Sequence, residues 1–106
     1  IVLMGAAVNH DWLEPEREYA GAMHQLTGML LMVNPCDPLL KRFRFISGCG
    51  HALGFVGLPT DTKLGALQQR ITARNVSDLV GRSHSLTNYV ADPTIATSIR
   101  EYVLAP

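Results

Sequence analysis

Two apolar runs that do not alternate, residues 1–8 and 28–33, constrain this chain more than any other feature of its sequence. A strand with one face in water alternates apolar with polar side chains. A strand covered on both faces reads as a continuous apolar run, the pattern of a parallel sheet sandwiched between helices. Both runs are less than half of the roughly 20 residues that a membrane-spanning helix needs, so neither predicts a span. The first run starts at Ile1 at full hydrophobicity and without an initiator Met. A chain cut just before or within a buried strand would begin this way, and the expected partner is a preceding N-terminal portion of the same domain.

Between and after these runs the pattern changes to helices and turns. Asp11 and Glu14 have the spacing of a helix cap, but Pro15 argues against one unbroken helix from Asp11, because its ring collides with the carbonyl four residues back. A short turn followed by a helix from Pro15 to Thr27 or Gly28 is the better reading. Glu14, Glu16 and Glu18 then lie at the positive end of the helix dipole, with Tyr19, Met23 and Leu26 on one face. Met29–Val33 reads as a second buried strand, ended by Asn34-Pro35-Cys36-Asp37-Pro38, where two prolines exclude both strand and helix interior. Asp37 and Pro38 form an N-cap and first helical position. Leu39, Leu40, Phe43 and Ile46 are expected inward, with Lys41, Arg42 and Arg44 outward.

Residues 47–59, rich in glycine, read as a loop whose backbone the sequence does not fix, and residues 61–69 as a short helix. Residues 71–77, with Ile71, Ala73 and Val76, give the third strand, and residues 81–88 a polar loop. Asp92-Pro93 opens a last helix bearing Ile95, Ile99, Tyr102 and Val103. Strands alternating with helices predict an α/β fold of about three mostly parallel strands.

Composition narrows the function classes. Nine basic and nine acidic side chains give a formal charge of zero, which supplies no electrostatic reason for a nucleic acid or an anionic membrane as partner. No basic, then apolar, then small-residue leader opens the chain, so a cytoplasmic, soluble protein is expected. Cys36 and Cys49 form neither a CxxC metal pair nor a disulfide framework, and reduced thiols are the default. One Cys and one His in Cys49-Gly50-His51 do not fill the four positions zinc usually takes. No metal and no cofactor are predicted.

Several motifs fall in a telling order: Gly5-Ala6-Ala7 with Asn9-His10-Asp11-Trp12, then Asn34-Pro35-Cys36-Asp37-Pro38-Leu39-Leu40, then Ala52-Leu53-Gly54 with Gly57-Leu58, and Arg82-Ser83-His84-Ser85 with Tyr89. In this order nearly the whole chain, residues 1–106, resembles the C-terminal portion of the alpha/beta-hydrolase superfamily, especially poorly characterised bacterial members. There, a strand ending in Gly-Ala-Ala precedes an Asp-containing turn, and the next strand runs into Asn/Ser-x-x-Asp-x-x-Leu. The resemblance implies a partial hydrolase domain in which Asp37 is the acid after the penultimate strand and His84 the base after the final one. It also implies an esterase- or lipase-like parent acting on small-molecule ester substrates.

The chemistry accounts for those residue types. An imidazole is a useful base near neutral pH because its unperturbed pKa is about 6.5, provided a carboxylate fixes its tautomer and stabilises the imidazolium that forms. Acid and base must therefore leave the same edge of the sheet, which parallel strands ensure. Asp37 could also be a helix cap alone, and His84 a surface loop histidine. Asp11, after the first strand, is the rival acid, while His24 beside Met23 reads as a partly buried packing residue. No Gly-x-Ser-x-Gly elbow occurs, since Ser47, Ser77, Ser83, Ser85 and Ser98 lie in other contexts. The chain alone is thus expected to lack hydrolase activity. Two readings from other classes stay open: a non-catalytic binding or interaction domain that keeps the hydrolase fold, and a small flavodoxin-like domain.

Overall fold

The computed structural model describes residues 1–15, 17, 19–47 and 50–104, the side chains of Ile46 and Ser47 excepted. The helix-dipole role expected of Glu16 and Glu18, the inward side chain of Ile46 and any role of Cys49 lie outside the described residues.

The chain builds an α/β structure on a parallel three-stranded sheet: β1 (Val2–Leu3), β2 (Met29–Val33) and β3 (Ile71–Asn75), with β2 in the centre. Val2 pairs with Leu30 and Leu3 with Leu31, while β2 runs beside β3 from Met29↔Ile71 to Val33↔Asn75. The helices are α1 (Ala20–Gln25), α2 (Pro38–Ser47), α3 (Leu53–Val56), α4 (Ser77–Val80), α5 (Leu86–Ala91) and α6 (Pro93–Leu104), with a 3-10 helix over Gly65–Arg70. Successive β2 side chains point to opposite faces, and each face has its own core. Met29 and Leu31 pack with Leu13, Met23, Leu53 and Leu64, and Leu30 and Met32 with Val76, Tyr89 and Ile95. Two covered faces are the physical reason this strand carries no polar residue.

The first apolar run supplies a shorter strand than its length suggests. Gly5 adopts φ 64°, a left-handed conformation that costs glycine nothing, and it turns the chain out of the sheet after Leu3. Ala6 and Val8 then accept hydrogen bonds from Gly54 N (3.0 Å) and Leu53 N (2.7 Å), so the segment is held by α3 rather than by β2. A Cβ at Gly54 would stand 2.6 Å from Ala6 N, and only glycine permits this approach.

Four more expectations change. The helix expected from Pro15 begins at Ala20; ahead of it the described residues are tied by turn bonds, with Trp12 N bonded to Asn9 O, Glu14 N to Asp11 O and Arg17 N to Glu14 O. Leu39, expected inward, is 58% exposed while Leu40 is buried. Residues 61–69 form no α-helix, and the 3-10 helix stands near their end. β3 stops at Asn75, whose Oδ1 accepts from Ser77 N (2.9 Å) and Ser77 Oγ (2.7 Å). Among the described residues no helix is long and apolar enough to cross a membrane.

Candidate active site

All three strands run the same way, so their C-terminal ends open on one rim, and the segments leaving them meet there. β2 leaves through Asn34-Pro35-Cys36-Asp37. Asp37 has no solvent exposure, and its two oxygens have separate partners. Oδ1 accepts from Leu39 N (2.9 Å) and Leu40 N (3.2 Å), the N-cap of α2, which satisfies amides that helix geometry leaves unpaired. Oδ2 lies 2.5 Å from His84 Nδ1. Capping and histidine binding are thus compatible in one side chain.

His84 lies in the loop between α4 and α5, after the exit of β3. Its side chain is 36% exposed. The ring packs on the Gly5 turn: a Cβ built there would stand 3.0 Å from His84 Cε1 and 3.3 Å from Nδ1. In the neutral ring with a proton on Nδ1, that N–H donates to Asp37 and Nε2 presents a lone pair. Among the described residues Nε2 makes no hydrogen bond.

The loop is held by a residue with no role among the sequence expectations. Asn34, buried at the end of β2, donates from Nδ2 to Gly81 O (2.8 Å) and Ser83 O (3.3 Å) and accepts at Oδ1 from Cys36 N (3.0 Å). Its backbone N–H also donates to Gly54 O (2.8 Å). One amide therefore ties the acid-bearing turn to the histidine-bearing loop. Position three before Asp37 was its only sequence signal. Ser83 Oγ accepts from Ser85 N (3.1 Å) and Asn88 Nδ2 (2.8 Å), shaping the same loop.

Tyr89 on α5 is buried beneath this junction, and among the described residues its hydroxyl has no hydrogen-bond partner. Burial pushes the pKa of the phenol up from 10.0 and the Asp37 charge adds to it, while the nearby Asn34 amide offsets part of the rise. A cleft of about 620 Å³ opens beside the pair, lined by Cys36, Asp37, Lys41, Arg42, Phe45 and Arg82 among others.

The remaining candidates lie apart from this pair. Asp11 is ion-paired with Arg17, whose guanidinium holds the carboxyl below its ordinary pKa, and the carboxylate that meets His84 is that of Asp37. His10 N donates to His51 O (3.0 Å), and among the described residues both rings keep a buried Nδ1 without a partner. His51 stacks on Phe55 at 5.9 Å. His24, expected to be partly buried, is exposed, and Met23 beside it fills the core. Among the described residues no three His, Cys, Asp or Glu side chains are grouped to hold a metal.

The arrangement can accept a proton at Nε2 and stabilise the resulting imidazolium through Asp37. No protein-family model, no curated protein and no solved structure matches the chain.

Proposed function

We propose that the chain is the acid- and base-bearing C-terminal portion of a serine hydrolase of the alpha/beta-hydrolase kind, esterase- or lipase-like. The observation that carries this reading is the 2.5 Å contact between Asp37 Oδ2 and His84 Nδ1, formed by residues leaving two adjacent parallel strands. The order of parts, acid after one strand and histidine after the next, is that of the resemblance. In this reading His84 Nε2 removes the proton from a serine Oγ as that oxygen attacks an ester carbonyl. Asp37 holds the imidazolium in place, and the same proton then passes to the departing alkoxide. Water repeats the sequence on the acyl-enzyme and releases the acid.

The serine belongs, in this reading, to a preceding segment of the polypeptide. No Gly-x-Ser-x-Gly turn occurs in residues 1–106; Ser83 and Ser85 directly flank His84 in the chain, and the Ser83 hydroxyl is engaged within the histidine loop. The expected test result is covalent labelling of a single serine when the whole polypeptide is treated with a serine-directed phosphonate, the modified peptide mapping upstream of Ile1. Absence of labelling in a folded, whole polypeptide would instead favour the second reading, a binding domain that keeps the fold. The missing elbow in this chain is the observation behind that alternative.

A further inference from the structure

Charge is unevenly distributed on this neutral chain. No Asp or Glu occurs between Asp37 and Asp61, or between Asp78 and Asp92, and these two segments supply most of the walls of the 620 Å³ cleft. Lys41 and Arg42 project from the first turns of α2, the helix that Asp37 caps. Arg82 stands two positions before His84. All three are exposed, and among the described residues none lies within ion-pairing distance of a carboxylate. Among the described residues the one carboxylate lining the cleft, Asp37, is fully buried and committed to His84 and the helix cap. Phe45, 73% exposed with Arg44 4.7 Å above its ring, adds an apolar wall. A volume of this size suits a small molecule.

We infer that this cleft binds a small organic anion, a carboxylate or phosphate attached to an apolar body, through Lys41, Arg42 and Arg82. Resting on the hydrolase reading, the inference assigns the substrate class: an ester whose non-reacting part carries a negative charge. The anion would be held by residues on the same two segments that position acid and base, which fixes its distance from the reacting carbonyl. A small anion fits better than a polyanion, because three cations in a concave site on a chain of zero net charge offer no extended track.

The test is direct binding to the whole polypeptide, with phenylacetate, phenyl phosphate and uncharged benzyl alcohol as probes, followed by calorimetry or amide shifts. Either anion should bind, with amides of α2 and of residues 81–83 responding, and benzyl alcohol should not compete. The tighter anion distinguishes carboxylate from phosphate. Lys41→Gln, Arg42→Gln and Arg82→Gln should each weaken binding about threefold, and the triple variant roughly tenfold or more. Equal binding of benzyl alcohol, undiminished affinity in the triple variant, or displacement by a much tighter-binding oligonucleotide would overturn the inference. If Arg82→Gln disturbs the loop, the two α2 variants carry the test. The measurement needs no turnover, so anion binding by a polypeptide that hydrolyses nothing leaves the anion site standing, while the hydrolase reading falls and takes the ester assignment with it.

Discussion

Asp37 explains why a single atom can decide the chemistry here. Oδ1 caps α2 and Oδ2 meets His84, so replacement by Asn keeps an oxygen for the cap and turns an NH2 group towards the ring. Nδ1 would then have to accept, the proton would move to Nε2, and the lone pair needed for base catalysis would be lost with little change in shape. Tyr89 makes a second point about single groups. Its hydroxyl is buried and makes no hydrogen bond among the described residues, so removing it in Tyr89→Phe should be neutral or stabilising. Its pKa is raised in the folded state, and the unfolded chain therefore ionises first as pH climbs past 10.0. The stabilisation from keeping the phenol neutral is intact below that value and is lost progressively above it. Chemical-denaturant midpoints measured from pH 8 to 11 should fall less for Tyr89→Phe than for the unmodified chain at the alkaline end. An equal or steeper fall would contradict the burial argument.

Among the elements, those whose ends are marked locally were legible in the sequence. β2 has the predicted bounds because both of its faces are covered. α6 begins at the expected Asp-Pro step, with Asp92 Oδ1 accepting from Thr94 N (2.9 Å) and Ile95 N (3.0 Å). Elements shaped by distant contacts were not legible. The start of α1 at Ala20 goes with a Tyr19 N–H to Trp12 O bond of 2.8 Å that no local pattern announces. The exit of β1 at Gly5 depends on the later approach of residues 53–54 and of the His84 ring. Asp37 and His84 could be singled out because their residue types carry chemistry, whereas Asn34 entered only as the first position of the Asn/Ser-x-x-Asp pattern, and an amide's partners cannot be read from its place in the chain. Its clamp predicts that Asn34→Ala, which strands Cys36 N–H and the Gly81 and Ser83 carbonyls, costs on the order of 1–3 kcal/mol and loosens the His84 loop. Hydrogen exchange at residues 81–85 should accelerate in that variant; unchanged protection would remove Asn34 from the site.

For the molecule as a whole, the sheet that places the pair is narrow. Among the described residues β1 pairs with β2 alone, and on its side of the sheet lies a cavity of about 350 Å³ lined almost wholly by apolar side chains, among them Ile1, Leu3, Val8, Leu13 and Met29. Leu39, Phe45, Leu86, Val103 and Leu104 are also more than half exposed. An open strand edge beside uncovered apolar surface invites pairing with other chains. Residues 1–106 expressed alone should therefore associate or bind a hydrophobic dye, as seen by light scattering and fluorescence. A monodisperse monomer with a sharp cooperative melt would show that the sheet needs no further cover.

Whether Asp37 and His84 work as an acid–base pair is tested most directly by ester turnover in the whole polypeptide, unmodified, His84→Ala and Asp37→Asn. His84→Ala should lower kcat on the order of a million-fold and Asp37→Asn on the order of ten thousand-fold, with both variants folded. Turnover that survives either substitution would show that the contact between these two side chains is structural and that the base lies elsewhere.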